Sequence, residues 1–366
     1  MQQCKVLILS TDLNIGGAQA VAANISKYAP EHMHITYLVF REQPGDYEQD
    51  ILARGHRILH WPSPSGNLPR FFLRLLKLLR REHFDAVHCH TMFNCGPVML
   101  AAMLSGVPKR ISHSHTTQEE RRESPLRTAY RSAMRLLIQL CGTDFWACGR
   151  EAGNTLYGRR WFSRHGCIIP NGIDSSAFVF SAEHRQRLRR QYGLEGKFVI
   201  GHAGHYVEVK NQKFLIELMP RLLPLRPDAQ LLLFGEGPDR PMLEALIGKL
   251  GLSDRVRLMG NVNGMGSMLS VFDVFAFPSL FEGTPLALIE AQTNGLPCII
   301  SDRIPGDAVV SELVTALPLG KPEDWIDAIA AARRPDDPRV IRTRYPDVLD
   351  SMAMIYRGYQ THSKNR

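Results

Sequence analysis

The sequence has no apolar run long enough to cross a lipid bilayer, which needs about 20 residues. Its longest apolar segments, around 98–107 and 136–141, are far shorter. Cysteine is scarce, and the seven cysteines form no Cys-x-x-Cys pair, so neither a disulfide framework nor a structural zinc site is indicated. Low-complexity tracts are lacking too, which excludes a collagen and a disordered chain. The N-terminus lacks the features of a signal peptide, so we expect a cytoplasmic protein.

At 366 residues, the chain has room for two domains of about 100 to 200 residues each. Both halves alternate short apolar segments with longer amphipathic ones, a pattern typical of βαβ units and parallel sheets. The segment 170–174, Pro-Asn-Gly-Ile-Asp, interrupts this pattern. We therefore predict an α/β protein with doubly wound domains at 1–176 and 177–345 that face each other across a cleft. A final helix and tail, 346–366, are predicted to cross back to the first domain.

The positive charge is concentrated in the first half of the chain. Overall, 44 basic and 36 acidic side chains give a net charge of +8. Residues 1–176 hold 21 basic and 14 acidic side chains, or +7, and the remaining residues hold 23 and 22, or +1. Such an excess in one half indicates an anionic partner, which can be a membrane surface, a nucleic acid or a phosphorylated substrate.

Paired glycines, Gly16 and Gly17, stand between the first predicted strand and the first predicted helix. Glycines there allow backbone N–H groups to approach a phosphate closely, and a helix N-terminus favours negative charge. The segment matches neither a Gly-x-Gly-x-x-Gly dinucleotide site nor a P-loop, so an ordinary turn is the alternative interpretation.

Two glutamates frame a predicted helix start in the second half. Thr284 can act as the N-cap and Pro285 as the first helical residue. Glu282 then lies in the preceding loop, and Glu290 lies inside the helix among apolar residues. A carboxylate in such a setting needs hydroxyl groups or a cation as partners. The alternative is one acid near a cap and one facing solvent. Lys210, in the first βα loop of the same half, is expected to place a cation near this helix start, although a loop lysine is usually solvated surface.

Four histidines follow two predicted strands of the first half: His88, His90, His113 and His115. The carboxyl ends of parallel strands are where such sheets bind ligands. We expect the members of each His-x-His pair to point mostly to opposite faces, and no nearby carboxylate completes a ligand set, so the sequence predicts no metal site. The chain also lacks an Asp-x-Asp pair for a divalent ion on a nucleotide diphosphate.

Taken together, these features resemble the retaining GT-B glycosyltransferases of family 4, and most closely the branch that builds bacterial exopolysaccharide and capsule. The resemblance rests on the spacing of Glu282 and Glu290 and on Lys210 in a Gly-x5-Lys loop after a strand. It rests also on the paired glycines and on the segment 170–174, and it covers nearly the whole chain. It implies two Rossmann-like domains and the transfer of a sugar from a nucleotide diphosphate sugar to a saccharide acceptor, expected to be lipid-linked. No metal or other cofactor is expected.

The resemblance also implies roles for residues of the nucleotide-sugar-binding second domain. Glu290 would bond the ribose hydroxyls, and Glu282 would hold hydroxyls of the donor sugar beside the anomeric carbon. Lys210 would neutralise the diphosphate. Backbone N–H groups at the helix start would cradle it, and they belong to Gly283, Thr284 and Leu286.

In the first, acceptor-side domain, the resemblance places His113 at the reaction centre. Gly17, with Gly16, would approach the diphosphate from this domain. His90 and His115 are weaker candidates on the acceptor side.

One position departs from the family pattern. Where the family commonly has an arginine beside the diphosphate, this chain has His205 after Gly204. A histidine of ordinary pKa is mostly neutral at pH 7, so more of the charge compensation is expected to fall on Lys210. The departure bears on the donor or the rate more than on the reaction class.

Two basic amphipathic segments, Arg70–Arg81 and Arg121–Leu140, mark the first half. Each can simply pack its apolar face on the sheet and show its arginines to water. The alternative is peripheral docking on anionic lipid headgroups, to which each cation near the surface adds about 1 kcal/mol.

Two other functions compete with a transferase. A nucleotide-sugar epimerase of the same architecture would need a similar diphosphate site and no acceptor, but the two spaced glutamates and the segment 170–174 speak against it. A nucleic-acid binder is suggested only by the net charge, and no recognised motif supports a nucleic acid as partner.

Overall fold

The computed structural model of the protein describes residues 3–14, 16–64, 66–115, 124–262, 264–335 and 345–360. The chain forms two compact units. The first holds the residues up to Gly172 together with the chain from Val348, and the second holds Ile173–Asp347. Each unit contains a parallel sheet with helices packed on it, which confirms the predicted α/β class.

The sheet of the first unit has seven strands among the described residues, all paired in parallel. They are β1 (Cys4–Ser10), β2 (Met33–Val39), β3 (Arg57–His60), β4 (Ala86–Cys89), β5 (Lys109–Ser114), β6 (Asp144–Ala147) and β7 (Gly166–Ile168). Their order across the sheet is β3-β2-β1-β4-β5-β6-β7. The order reverses between β1 and β4, and such switch points are where doubly wound sheets bind ligands.

Helices cover both faces of this sheet. They are α1 (Gly17–Lys27), α2 (Glu48–Ala53), α3 (Leu68–Glu82), α4 (Cys95–Leu104), α5 (Pro125–Cys141), α6 (Arg150–Tyr157) and α7 (Arg159–His165). Successive strand residues point to opposite faces, so Leu7 and Leu9 join one buried cluster while Val6 and Ile8 join the other. Covered on both faces, the strands are apolar almost throughout.

The second unit repeats the plan with six strands in its described part. They are β8 (Phe198–Ala203), β9 (Ala229–Phe234), β10 (Val256–Gly260), β11 (Val274–Phe277), β12 (Cys298–Ser301) and β13 (Val314–Leu317). Their parallel order is β10-β9-β8-β11-β12-β13, with the switch point between β8 and β11. The helices are α8 (Ala182–Tyr192), α9 (Gln212–Leu222), α10 (Arg240–Lys249), α11 (Met265–Leu269), α12 (Leu286–Thr293) and α13 (Pro322–Ala331).

The last helix, α14 (Val348–Gln360), belongs to the first unit, as predicted. It packs beside α1, and the hydroxyl of Tyr356 donates to the carbonyl of Ile25 (2.8 Å). A Cβ added to Gly358 would lie 2.3 Å from the Trp146 ring, so this position lets the helix approach β6 closely. None of the helices in the described ranges is long and apolar enough to span a membrane.

Several local expectations differ from the structure. Strands β3 and β13 are short, partly exposed edge strands without a continuous apolar run, and the sequence pattern did not reveal them. The helix α12 begins at Leu286, one residue later than predicted, because Pro285 has a ψ of 88°, outside the helical range. Pro285 takes the N-cap position and no side chain caps the helix, so the predicted Thr284 cap is wrong.

The arginines of α5 also differ from the expectation that they face water. Arg135 donates to the backbone carbonyls of Thr155 (2.9 Å) and Leu156 (3.0 Å). The guanidinium groups of Arg131 and Arg135 lie over the Phe93 ring, 5.6 and 5.8 Å from its centre. These side chains therefore pack within the first unit. The part of the predicted basic segment before residue 124 lies outside the described residues.

Candidate active site

The loops that follow β8 and β11, at the switch point of the second sheet, are joined by hydrogen bonds. The side-chain amide of Asn211, a residue in the left-handed conformation, donates to the carbonyl of Pro278 (3.2 Å). The backbone N–H of Leu280 donates to the carbonyl of Val209 (2.8 Å). These bonds bring together side chains that are far apart in the sequence.

Lys210 and Glu282, one from each loop, form a short ion pair. Nζ of Lys210 lies 2.6 Å from Oε1 of Glu282 and 5.3 Å from the centre of the Phe277 ring. The two side chains are only 20% and 10% exposed, so water screens the pair only partly. The structure thus brings together Lys210 and Glu282, the residues predicted to act at the diphosphate and at the donor sugar.

The start of α12 follows Glu282 directly. The first hydrogen bonds of the helix are donated by Leu288 (3.0 Å) and Ile289 (3.3 Å) to the carbonyl of Pro285. The three predicted phosphate donors, Gly283, Thr284 and Leu286, therefore lie ahead of the helix's own hydrogen bonds. Backbone N–H groups at such a helix start are suited to bind an anion.

Glu290 lies on α12 and is half-buried. Its carboxyl group makes no hydrogen bond within the described part of the chain, and burial raises its pKa to about 7. A desolvated carboxyl group without a protein partner is costly, and hydroxyl groups of a ligand would relieve that cost. This is the environment that the sequence predicted for Glu290, with the partner left open.

His205 and two residues that the sequence did not single out complete this edge of the sheet. His205 is exposed, and its Nδ1 donates to the carbonyl of Glu236 (2.5 Å). Nε2 of His202 and Oγ of Ser279 are buried polar atoms without a hydrogen-bond partner among the described residues. His202 donates from Nδ1 to the carbonyl of Ala276 (2.9 Å), and burial lowers its pKa to about 4. Its place at the end of the central strand β8 is the signal that could have identified it.

In the first unit, α1 begins at Gly17, directly after the extended residue Gly16. An added Cβ at Gly17 would meet no atom within 4 Å, so the backbone there is open to a ligand. The nearby carboxylate of Asp12 accepts from the backbone of Asn14 (3.1 Å) and the side chain of Gln19 (3.3 Å). The phosphate role of the two glycines stays a prediction.

The four histidines of the first unit form a two-by-two array. Nε2 of His88 lies 3.2 Å from Nδ1 of His113, with the rings 8° from parallel. Nδ1 of His90 lies 2.7 Å from Nε2 of His115, with the rings 12° from parallel. Ring centres of His88 and His90, and of His113 and His115, are 4.1 Å apart. The expectation that each pair points to opposite faces is therefore wrong, because residues two apart in a strand share a face.

Burial lowers the pKa of all four imidazoles, to about 4 for His115 and well below 6.5 for the others. Neutral imidazole is the form that binds metals. The ligand atoms of His88, His90 and His113 all lie within 4.8 Å of one another, so these residues are close enough to hold a transition metal if the nitrogens that face it carry no proton. The absence of a metal therefore stays a prediction for this unit.

Family models match both halves of the chain. The model described as Glycosyltransferase Family 4 matches residues 15–177, and the one described as Glycosyl transferases group 1 matches residues 184–334. EpsF of Bacillus subtilis, which carries the name of a glycosyltransferase, is 34% identical over 345 residues, or 92% of this chain and 90% of EpsF. A UDP-Gal:alpha-D-GlcNAc-diphosphoundecaprenol alpha-1,3-galactosyltransferase of Escherichia coli is 29% identical over 237 residues, or 63% of this chain and 61% of that enzyme.

Solved structures resemble the chain over almost its whole length. HepE of Anabaena, solved in complex with UDP and glucose, has a TM-score of 0.80 at 18% identity, covering 97% of this chain and 99% of HepE. WaaG, a glycosyltransferase involved in lipopolysaccharide biosynthesis, has a TM-score of 0.68 at 15% identity, covering 98% and 96%. At these identities the likeness shows a common fold.

Proposed function

The chain belongs to glycosyltransferase family 4, and on that basis we propose that it moves a sugar from a nucleotide diphosphate sugar to a saccharide acceptor of cell-surface polysaccharide synthesis. The proposed transfer retains the anomeric configuration and needs no metal. The arrangement at the switch-point edge of the second sheet supports the proposal. There Lys210, Glu282 and the start of α12 come together, and Glu290 of the same helix has no hydrogen-bond partner among the described residues.

The chemistry of the proposed reaction matches this edge. When the bond from the anomeric carbon to the β-phosphate breaks, negative charge develops on the phosphate and positive charge on the sugar. Catalysis then needs fixed cations and dipoles at the phosphate. Lys210 and the N–H groups ahead of α12 supply both.

The ion pair gives Glu282 two tasks in this proposal. Without donor, its carboxylate holds Lys210 in place at 2.6 Å. With donor bound, Lys210 turns to the diphosphate and the carboxylate is released to accept hydrogen bonds from the sugar hydroxyls. Glu290 accepts from the ribose hydroxyls, which supply the partner that the protein itself does not.

Retention follows if the acceptor attacks from the face that the phosphate leaves. The acceptor oxygen forms the new bond to the anomeric carbon, and its proton passes to the departing phosphate oxygen. We place His113, Gly16 and Gly17 in the acceptor-side half of this reaction, with His90 and His115 as further candidates.

Relatives guide the choice of substrates. The Escherichia coli relative is named for a UDP-sugar donor and a diphosphoundecaprenol acceptor, and HepE is described with UDP and glucose. We therefore propose a uridine diphosphate sugar as donor and a lipid-linked saccharide as acceptor, with a guanosine diphosphate sugar as the alternative donor.

A lipid-linked acceptor requires contact with a membrane, and α3 and α5 of the first unit offer a surface for it. Leu73 of α3 is 65% exposed among the exposed cations Arg70 and Lys77. Leu126 and Leu140 of α5 are 83% and 68% exposed. Apolar side chains beside cations favour insertion among anionic headgroups. We propose this leucine and cation surface as a peripheral membrane contact.

The donor experiment uses a panel of nucleotide sugars and measures release of nucleoside diphosphate. Slow release from one UDP-sugar supports a transferase, whereas an isomerised sugar nucleotide without release would indicate an epimerase. Lys210→Ala is expected to lower release by about 10² to 10³-fold, in the range seen when a charge-stabilising group is removed. Lys213→Ala, an exposed neighbour paired with Glu217, is the control and should keep full activity. Equal activity of both variants would contradict the role of Lys210.

The membrane experiment is flotation with vesicles of anionic lipid at low salt. The wild-type protein is expected to float, and Arg70→Gln/Lys77→Gln should lose about thirtyfold in binding, at about 1 kcal/mol for each of the two cations. Arg187→Gln/Arg190→Gln, which removes two exposed cations from α8 of the second unit, is the matched control. Absence of wild-type flotation, or equal loss in both variants, would remove this proposal.

A further inference from the structure

We propose that Tyr359 of α14, acting through His88, fixes the tautomer of His113 so that Nε2 of His113 is always an N–H donor. This proposal rests on the proposed function for the contact of His113 with a substrate. In it, Tyr359 and His88 are positioning residues that act through His113.

The three side chains form one buried hydrogen-bonded chain. The Tyr359 hydroxyl lies 2.7 Å from Nδ1 of His88, and Nε2 of His88 lies 3.2 Å from Nδ1 of His113. The two imidazole planes are 8° from parallel with ring centres 5.3 Å apart, as expected for an in-plane N–H···N bond. Tyr359 is 4% exposed and both histidines are fully buried.

The direction of these hydrogen bonds follows from the tyrosine hydroxyl. Among the described residues, His88 is the hydrogen-bond partner of the Tyr359 hydroxyl. A buried hydroxyl proton needs an acceptor, so the phenol donates to Nδ1 of His88. The neutral His88 ring then carries its proton on Nε2 and donates to Nδ1 of His113. His113 in turn carries its proton on Nε2. These protons are assigned from the hydrogen-bond network.

The last group in this series of hydrogen bonds is a buried donor. Nε2 of His113 has no hydrogen-bond partner among the described residues. A buried N–H without a partner is unfavourable, and an oxygen of a sugar or phosphate would satisfy it. With its proton fixed on Nε2, neutral His113 cannot take a proton there as a general base. Its role in the proposed reaction is that of an uncharged hydrogen-bond donor to an oxygen that gains negative charge.

Packing of α14 holds Tyr359 in place. Gly358 allows the helix to approach Trp146, whose ring stands edge-on to both His88 and His113, with ring centres 5.1 and 5.9 Å away. The other histidine pair shows a contrast. Nε2 of His90 lacks a partner in the described chain, and the side chain beside His115 is the amide of Asn171, which can donate or accept and so does not fix the direction of that pair.

The test is ¹⁵N NMR of histidine-labelled protein, which distinguishes a protonated from an unprotonated ring nitrogen. His113 and His88 are assigned by the signals missing from His113→Gln and His88→Gln. In the wild type, Nε2 is expected to be protonated and Nδ1 unprotonated in both rings. Tyr359→Phe should mix the two tautomers of His88 and His113. Tyr356→Phe removes a hydroxyl of the same helix that donates to Ile25 and not to a histidine, so it should leave both tautomers unchanged. His113 protonated on Nδ1 in the wild type would overturn the proposal, as would unchanged tautomers in Tyr359→Phe.

Activity supplies a second measurement. Tyr359→Phe is expected to lower kcat about fivefold, which corresponds to about 1 kcal/mol, with the donor KM unchanged, and Tyr356→Phe should retain full kcat. An equal loss in both variants would indicate a purely structural role. The NMR result does not depend on turnover, so a wild type without transferase activity would contradict the proposed function while the tautomer remains testable.

Discussion

Replacing Glu290 with glutamine tests whether α12 carries a desolvated carboxyl group that awaits a ligand. Burial raises the pKa of Glu290 from 4.5 to about 7. The folded protein therefore holds this proton more tightly than the unfolded chain does. The associated stability is fully present below pH 4.5 and is lost as the pH rises through 7. At about 1.4 kcal/mol for each pH unit between these values, the loss is about 3 kcal/mol by pH 8.

Glu290→Gln has no ionisable group at this position, so its free energy of unfolding does not fall in this way as the pH rises. We expect the variant to match the wild type near pH 4.5 and to exceed it by about 3 kcal/mol at pH 8. For a unit of the size of the second one, this is a rise in Tm of roughly 6 to 12 °C, measured by thermal unfolding across the pH range. Glu217→Gln, which removes an exposed carboxylate 3.6 Å from Lys213, is the control and should change stability by less than about 0.5 kcal/mol. A stability difference that does not vary with pH would contradict a raised pKa of Glu290 in the folded protein.

The wild type, although less stable than Glu290→Gln at pH 8, should bind the nucleotide more tightly. Ribose hydroxyls that donate to Glu290 favour its ionised form, so UDP binding near pH 7 is expected to release a proton from the wild type. Calorimetry in buffers of different ionisation enthalpy measures that proton. Glu290→Gln should bind UDP more weakly and release none from this site. Equal proton release by both proteins would show that Glu290 does not meet the nucleotide.

Three further substitutions have expected outcomes. His205→Arg restores the cation that the family commonly has beside the diphosphate, and should raise kcat/KM for the donor about fivefold; an unchanged or lower value would show that this loop does not face the phosphate. Gly358→Ala would place a Cβ 2.3 Å from the Trp146 ring. It should lower the free energy of unfolding, measured by chemical denaturation, by about 1 to 3 kcal/mol. Gly248→Ala, within α10 and with no atom within 4 Å of the added Cβ, should instead gain about 0.5 to 1 kcal/mol, and a loss there would contradict the packing described.

Much of the fold could be predicted because buried parallel strands and amphipathic helices leave strong local patterns. The strands β1 and β8 are nearly continuous apolar runs, and α3 repeats its apolar residues with the helical period. The edge strands β3 and β13 were missed because they are half-exposed on both faces and lack such a run.

The candidate site could be predicted only where the signal was local. The position of Lys210 after a strand and of Glu290 on a helix followed from neighbouring residues, but their partners did not. The contact of Lys210 with Glu282 depends on the order of β8 and β11 in the sheet, which strand patterns alone do not give. The contact of His88 with Tyr359 joins positions 271 residues apart through the packing of α14.

Retention and independence of metal can be measured together in a ¹H NMR time course of the wild-type protein with EDTA and the α-linked UDP-sugar from which it releases most UDP. Water serves as acceptor, and the first sugar released is observed before its anomers interconvert. UDP and the α-anomer are expected to appear together, at a rate that EDTA does not change. A β-anomer as first product, or a reaction that EDTA stops, would contradict a retaining transferase that works without a metal.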